Sequence, residues 1–166
     1  MPEGKNIEYT GQANKRGSIT EEGLDAMGLN GGEALGSFSL TADQNSDEYK
    51  RMYGRSSSQM QPIYFDFDSA SIDQDQIPRL EHNAEYLRTN PSAQLLIEGN
   101  CDQRGTNEYN LALGERRARV AQNYLVELGI EATRIRTISY GEERPLFTGQ
   151  TDDDFAQNRR DDFIIE

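Results

Sequence analysis

Histidine, cysteine and tryptophan are nearly missing from this chain: His82 and Cys101 are single copies, and there is no tryptophan. A lone cysteine excludes an internal disulfide, so the redox compartment is not written in the sequence. Lysine is scarce as well, and its three copies, Lys5, Lys15 and Lys50, all fall in the first part of the chain. Positive charge falls short of negative, with 17 basic against 29 acidic residues and a net charge of −12. That balance disfavours nucleic acid and anionic lipid surfaces, both of which are bound through clustered cations. With no run of 18 apolar residues and no secretory h-region, neither a transmembrane helix nor a signal peptide is expected. The chain begins Met-Pro without a nearby cysteine, so any export signal or lipid anchor is expected to have been removed or never to have existed. Hydrophobic residues make up only 34%, at a mean hydropathy of −0.84. That is too little apolar material to bury all 166 residues, and an unfolded portion is expected.

The thin part of the chain is its beginning. Residues 1–60 are rich in Gly, Ser, Asn, Gln and acidic residues and read as a flexible tail, with Gly28–Gly32 and Arg55–Pro62 as loose punctuation. One short helix is expected there, around Asp47–Tyr53. The domain is expected over 61–166, opening at IYFDFD, where Ile63, Phe65 and Phe67 alternate with Tyr64, Asp66 and Asp68 as in a half-buried strand. Asp73 or Asp75 is placed to cap a helix carrying Ile77, Leu80, Ala84 and Leu87 on one face, ending near Asn90-Pro91. A strand over Gln94–Gly99 precedes a long amphipathic helix closed by Gly129. A third strand follows at Ile135–Tyr140, then a loop rich in Asp, Thr and Gln, then a last strand at Asn158–Glu166. Strands separated by helical stretches, with one further strand at the end, predict an α+β domain with helices packed on a mixed sheet.

Several chemistries fail on the residues present. The apolar strand ending in Asp-x-Asp suggests the nucleophile loop of a haloacid-dehalogenase-like phosphatase, but that chemistry needs a later lysine and none follows the strand. A calcium loop starting at Asp66 would put Ser71 where glycine is required and Ile77 where a bidentate Glu is required. His82 sits beside Glu81 on a polar helix face, and Cys101 has no histidine near it in sequence to activate it, so no hydrolytic site is expected and Cys101 reads as a small semi-buried loop residue. Asp152–Asp154 and Asp161–Asp162 read as solvated loop and edge charges.

One residue breaks the pattern of the long helix. At about 100° per residue, Leu113, Val120, Tyr124 and Leu128 share a face, and Arg117 falls in the middle of it, while Arg116 points away. A guanidinium on an apolar stripe is costly unless it is paired or lines a binding site. Asp102, in the loop leading into the helix, is the nearest partner in the motif. Two readings stay open at this point: an internal salt bridge, or a ligand site. The ligand suited to such a pair carries an ammonium for the carboxylate and a carboxylate for the guanidinium, as an amino-acid head group does. Asn110, about two turns before Arg117, lies in nearly the same direction and can add an amide contact.

GNCDQRGTNEYNLALGERRARVAQNYLVELGI, followed by SYGEERP and by Asn158–Arg160, resembles the OmpA-like peptidoglycan-binding domain, and within it the lipoprotein branch of the Tol–Pal system. The resemblance runs from about Ile63 to Glu166. It implies an α/β sandwich in the order β-α-β-α-β-β, a mixed four-stranded sheet with two to three helices on one face. It also implies non-catalytic, cofactor-free binding of the wall stem peptide through meso-diaminopimelate, tethering an outer membrane to the wall. By motif, Asp102 and Arg117 hold the far end of that residue, and Asn110, Asp68 and Arg104 line the same pocket. Peptidoglycan and a TolB-like β-propeller are the partners implied, and the periplasmic face of the outer membrane is the location, reached through an anchor that this chain lacks. The alternative within the family is a module that docks the propeller, with Asp102 and Arg117 only structural. Three departures stand out: Asn100 where many members have His, Cys101 where Thr or Ala is usual, and Asp161-Asp162 where an apolar residue commonly follows the two arginines.

Overall fold

The computed structural model describes residues 43–166, so the first 42 positions of the expected tail, Gly28–Gly32 among them, lie outside the described residues. Two units divide the chain, Met1–Tyr49 and Lys50–Glu166. Within the described part of the first, a 3-10 turn at Asp43–Asn45 is followed by Ser46, whose Oγ accepts from the Tyr49 amide at 3.1 Å. That bond starts helix α1, Asp47–Tyr53, at the expected place.

The second unit continues with β1 (Ile63–Tyr64), α2 (Ile77–Thr89), β2 (Leu95–Asn100), α3 (Asn107–Glu127), β3 (Ile135–Gly141), α4 (Asp152–Asn158) and β4 (Arg160–Ile165). The sheet order is β1-β4-β2-β3. β2 runs parallel to β3 and antiparallel to β4, with Ile97 opposite Thr137 and Phe163. β1 closes antiparallel on β4, with Ile63 opposite Asp161. This is the mixed four-stranded α+β sheet expected from the sequence, with α4 as an additional helix before the last strand. Among the described residues, no helix is long and apolar enough to cross a membrane.

Leu95, Ile97, Ile63 and Phe163 point to one face of the sheet and meet Leu80, Ala84 and Leu87 of α2 and Ala118, Ala121 and Leu125 of α3 in one core. The apolar seam of α3 is therefore turned from the expected stripe: Leu113 and Arg117 are buried, but Val120, Tyr124 and Leu128 are only half-buried. The cause is a close approach. An ideal Cβ on Gly99 would lie 1.9 Å from the Gly114 carbonyl oxygen, so α3 can lie against β2 only because both positions are glycine. Thr106 caps α3 through its side chain, and Gly129, at φ +101°, ends it in the left-handed region.

The structure corrects the sequence reading at five further places. The first strand is two residues long, because the chain turns at Asp66–Ser69, Asp68 takes φ +57° and Phe67 is 56% exposed. Neither Asp73 nor Asp75 caps α2: Asp73 precedes a 3-10 turn at Gln74–Gln76 without a side-chain bond, and Gln76 is the N-cap. Asp152–Asn158 is a helix, closed by a reciprocal pair of bonds between Thr151 and Asp154. Order begins before residue 61. Ser56 and Met60 are buried, Ser57 donates to the Phe163 carbonyl at 3.0 Å, and Ile165 donates to Ser57 Oγ at 2.9 Å. Arg55–Pro62 thus covers the outer edge of β4 that the short β1 leaves unpaired.

The fifth correction concerns Asp161 and Asp162, which are fully buried rather than solvated. Asp162 lies opposite Glu98 on the sheet face away from the core. Arg160 Nε reaches both its oxygens, at 2.9 and 3.1 Å, and the Arg55 amide donates at 3.1 Å. Asp161 faces the other way, and neither of its oxygens has a hydrogen-bond partner among the described residues.

Candidate functional site

The C-terminal end of β2 delivers Asn100, Cys101 and Asp102 to a loop that leads directly into α3. The turn after β1 passes over the same place, and Arg159 approaches from the residue before β4. These segments enclose a cleft of about 220 Å³ lined by Asp68, Asp102, Arg104, Asn110 and Arg117, together with Phe67, Cys101, Tyr109 and Arg159. All five residues singled out from the sequence therefore meet in one cavity.

Arg117 is 1% exposed and stacks over the Phe65 ring at 5.0 Å. It forms no salt bridge with Asp102, which was one of the two readings left open by the sequence. Its guanidinium donates to three carbonyls, Ser69 through Nε at 2.7 Å, Asn100 through Nη1 at 2.9 Å and Asp66 through Nη2 at 3.0 Å. A guanidinium has five N–H donors, and these three bonds use one on each nitrogen. The carbonyls supply partial charge without cancelling the cation. Burial lowers the Arg117 pKa.

Asp102, 3% exposed, pairs with Arg104 at 2.8 Å and with Arg159 at 3.4 Å. Burial pushes its carboxyl upward, but the side-chain and backbone hydrogen bonds from Arg104 and that residue's charge outweigh it, and the net shift is downward. The carboxylate is held ionised. Asn110 braces the site: its Nδ2 donates to Glu142 Oε1 at 2.6 Å and to the Arg104 carbonyl at 3.0 Å, fixing the loop against α3. Asp68 accepts a short hydrogen bond from Tyr109 Oη, which ties the turn after β1 to the first turn of α3.

Cys101 donates to the Asn110 carbonyl, and burial pushes its thiol up to about 11. A thiol so seldom ionised is a poor nucleophile, and Cys101 is buried where the sequence suggested a semi-buried loop residue. Behind the cleft, burial raises the Asp161 carboxyl well above its ordinary value, with Arg117 acting in the opposite direction.

Sequence reasoning gave no role to Arg159, which lines the cleft and holds Asp102. The signal was present: two adjacent arginines entering a strand must point to opposite sides, and here Arg160 takes the buried Asp162 while Arg159 takes the cleft. Phe67 and Phe155 were also missed as a pair, because only the fold brings both rings against Arg104.

A buried carboxylate, Asp102, and a buried guanidinium, Arg117, thus stand in one cleft. The chain belongs to the OmpA family, whose model matches residues 64–159, and this family is one of non-catalytic binding proteins. It is 44% identical over 98 residues to the peptidoglycan-associated lipoprotein of Haemophilus influenzae, covering 59% of this chain and 64% of that protein. It is 38% identical over 134 residues to the peptidoglycan-associated lipoprotein of Legionella pneumophila, covering 81% of this chain and 74% of that one. The crystal structure of the peptidoglycan-associated lipoprotein from Burkholderia pseudomallei superposes with a TM-score of 0.62 at 41% identity, over 63% of this chain and 89% of that chain. For most of the curated relatives, the H. influenzae and Pseudomonas putida proteins among them, the match spans about three-fifths of their length.

Proposed function

We propose that this chain binds the stem peptide of peptidoglycan without chemistry, through the zwitterionic end of meso-diaminopimelate, and so tethers an outer membrane to the wall. The observation that carries the reading is the cleft itself. Asp102 stands ionised as the acceptor for the ammonium, and Arg117 lines the same cleft as the partner for the carboxylate. Asn110 and Asp68 shape the walls between them, and Arg104 lines the mouth. The names of the relatives support the same ligand, and kinship supports lipid anchoring at the periplasmic face of the outer membrane within a Tol–Pal system.

One charge-assisted pair contributes about 1.5–3 kcal/mol, so a single peptide binds weakly and retention depends on the density of sites in the wall. The test compares purified sacculi of two kinds. Lysine-type wall lacks the second carboxylate and leaves Arg117 unpaired, so binding is expected to fall at least tenfold relative to diaminopimelate-type wall. Equal binding to both would refute the assignment.

A second reading, docking of a TolB-like propeller on the same mouth, is favoured by the exposure of Phe67 and Tyr109 at the rim. Soluble meso-diaminopimelate followed by NMR separates the two. Shifts centred on Asp102, Asn110 and Arg117 support the wall, and their absence supports the protein partner.

A further inference from the structure

The acceptor at the centre of the cleft is already occupied from within. Oδ1 of Asp102 accepts from the Arg104 backbone amide at 3.0 Å and from its Nε at 3.2 Å. Oδ2 accepts from Arg104 Nη2 at 2.8 Å and from Arg159 Nη1 at 3.4 Å. Nε and Nη2 together form the side-on fork with which a guanidinium takes both oxygens of a carboxylate. The same guanidinium packs against two rings, 4.1 Å from the centroid of Phe67 and 4.5 Å from that of Phe155. Phe67 comes from the turn after β1, Phe155 from α4 and Arg104 from the loop before α3, so three separate segments converge to hold one cation on Asp102. The turn carrying Phe67 is further tied down by the bond between Tyr109 and Asp68.

We infer that Arg104 is an internal competitor for the ligand's ammonium, a latch that closes the anionic half of the site until a zwitterionic head group displaces it. The inference rests on the reading of Asp102 as the ammonium acceptor. Its consequence is selectivity. A simple amine exchanges a two-bond guanidinium contact, backed by two aromatic faces, for a single ammonium contact, and gains nothing. A ligand that also places a carboxylate on Arg117 gains a second charged contact in the same event, and only that sum opens the latch. Arg104 thereby makes the cleft demand both charges together, although it bonds to neither end of the ligand.

Isothermal titration of the full chain tests this with two probes: meso-diaminopimelate, and its N-acetylated derivative, in which the amines carry no charge. Arg104→Ala is expected to bind meso-diaminopimelate roughly 3- to 10-fold more tightly than the parent, the range of a partly exposed ion pair that no longer has to be broken. Binding of the acetylated probe is expected to be the same in both proteins, whether weak or absent. Phe155→Leu removes one face of the seat without touching Asp102, so it should shift meso-diaminopimelate binding in the same direction by a smaller factor and serves if Arg104→Ala folds poorly. Unchanged or weaker binding of meso-diaminopimelate in these variants overturns the latch, and so does equal tightening for both probes. Arg117→Lys, titrated alongside, separates the two levels. If it binds as the parent does, the clamp reading itself fails; if it loses binding while Arg104→Ala does not tighten, the latch alone falls.

Discussion

In an Arg117→Lys variant the positive charge stays on α3, but the planar fork is lost. The native side chain joins three carbonyls from two separate segments, Asp66 and Ser69 in the turn after β1 and Asn100 at the end of β2, and it lies over the Phe65 ring. An ammonium is a single point with a shorter reach, and it can satisfy one of those carbonyls well. Hydrogen bonds to a charged group contribute about 1.5–3 kcal/mol each, and the turn after β1 lies near enough to the surface for part of the loss to be made up by water. The net cost should be about 2–4 kcal/mol. For a unit of roughly 120 residues, unfolding entropy near 2.1 cal/mol/K per residue converts this to a fall in Tm of about 8–16 °C. The ligand loses its bidentate partner in the same substitution, which should weaken binding roughly 10- to 100-fold. Thermal unfolding by circular dichroism reads the first effect. Co-sedimentation with sacculi, well below the variant's melting range, reads the second. A Tm within about 2 °C of the parent would refute the claim that Arg117 pins the turn to the sheet, whatever happens to binding.

Asp161→Asn should stabilise the protein near neutral pH. Burial raises the folded-state pKa of Asp161, so the native state retains a proton that the unfolded state releases. Its contribution is constant below the unfolded value of about 3.9 and grows unfavourable as pH rises toward the folded value, by up to about 1.4 kcal/mol per pH unit in that window. Urea midpoints should therefore differ in favour of the variant near pH 7 and converge near pH 3.5, and an equal gap at both would refute the assignment. Gly99→Ala should cost about 3 kcal/mol or more, because the new Cβ would lie 1.9 Å from the Gly114 carbonyl oxygen and backbone must move. Chemical denaturation showing a loss below about 0.5 kcal/mol would mean that α3 is free to lift from β2.

Much of the fold was legible because its elements carry local signals. Gly129 ends α3, and the apolar positions of β2 and α2 recur at the spacing of buried faces. The failures share one cause. The two-residue β1, the packed segment 55–62 and the burial of Asp161 and Asp162 depend on what another part of the chain places beside them, and no local window contains that information. Asp162 is tolerable because Arg160 and the Arg55 amide surround it. The helix at Asp152–Asn158 is a different failure, since Thr151 and Asp154 announced it locally and the run of acidic residues obscured the signal.

The candidate site divides in the same way. The sequence by itself determined that a guanidinium sits on an otherwise apolar helix face, that a carboxylate opens the preceding loop, and that Asn110 and Arg117 share a direction, because helical periodicity is a local property. Tertiary structure alone decided how those charges are used. It turned Arg117 toward the carbonyls of Asp66, Ser69 and Asn100 instead of toward Asp102. It also gave Asp102 to Arg104 and Arg159, and it set Arg104 against Phe67 and Phe155. Charge pairing is a matter of a few ångströms and of local desolvation, and both are fixed only when segments distant in sequence have been brought together.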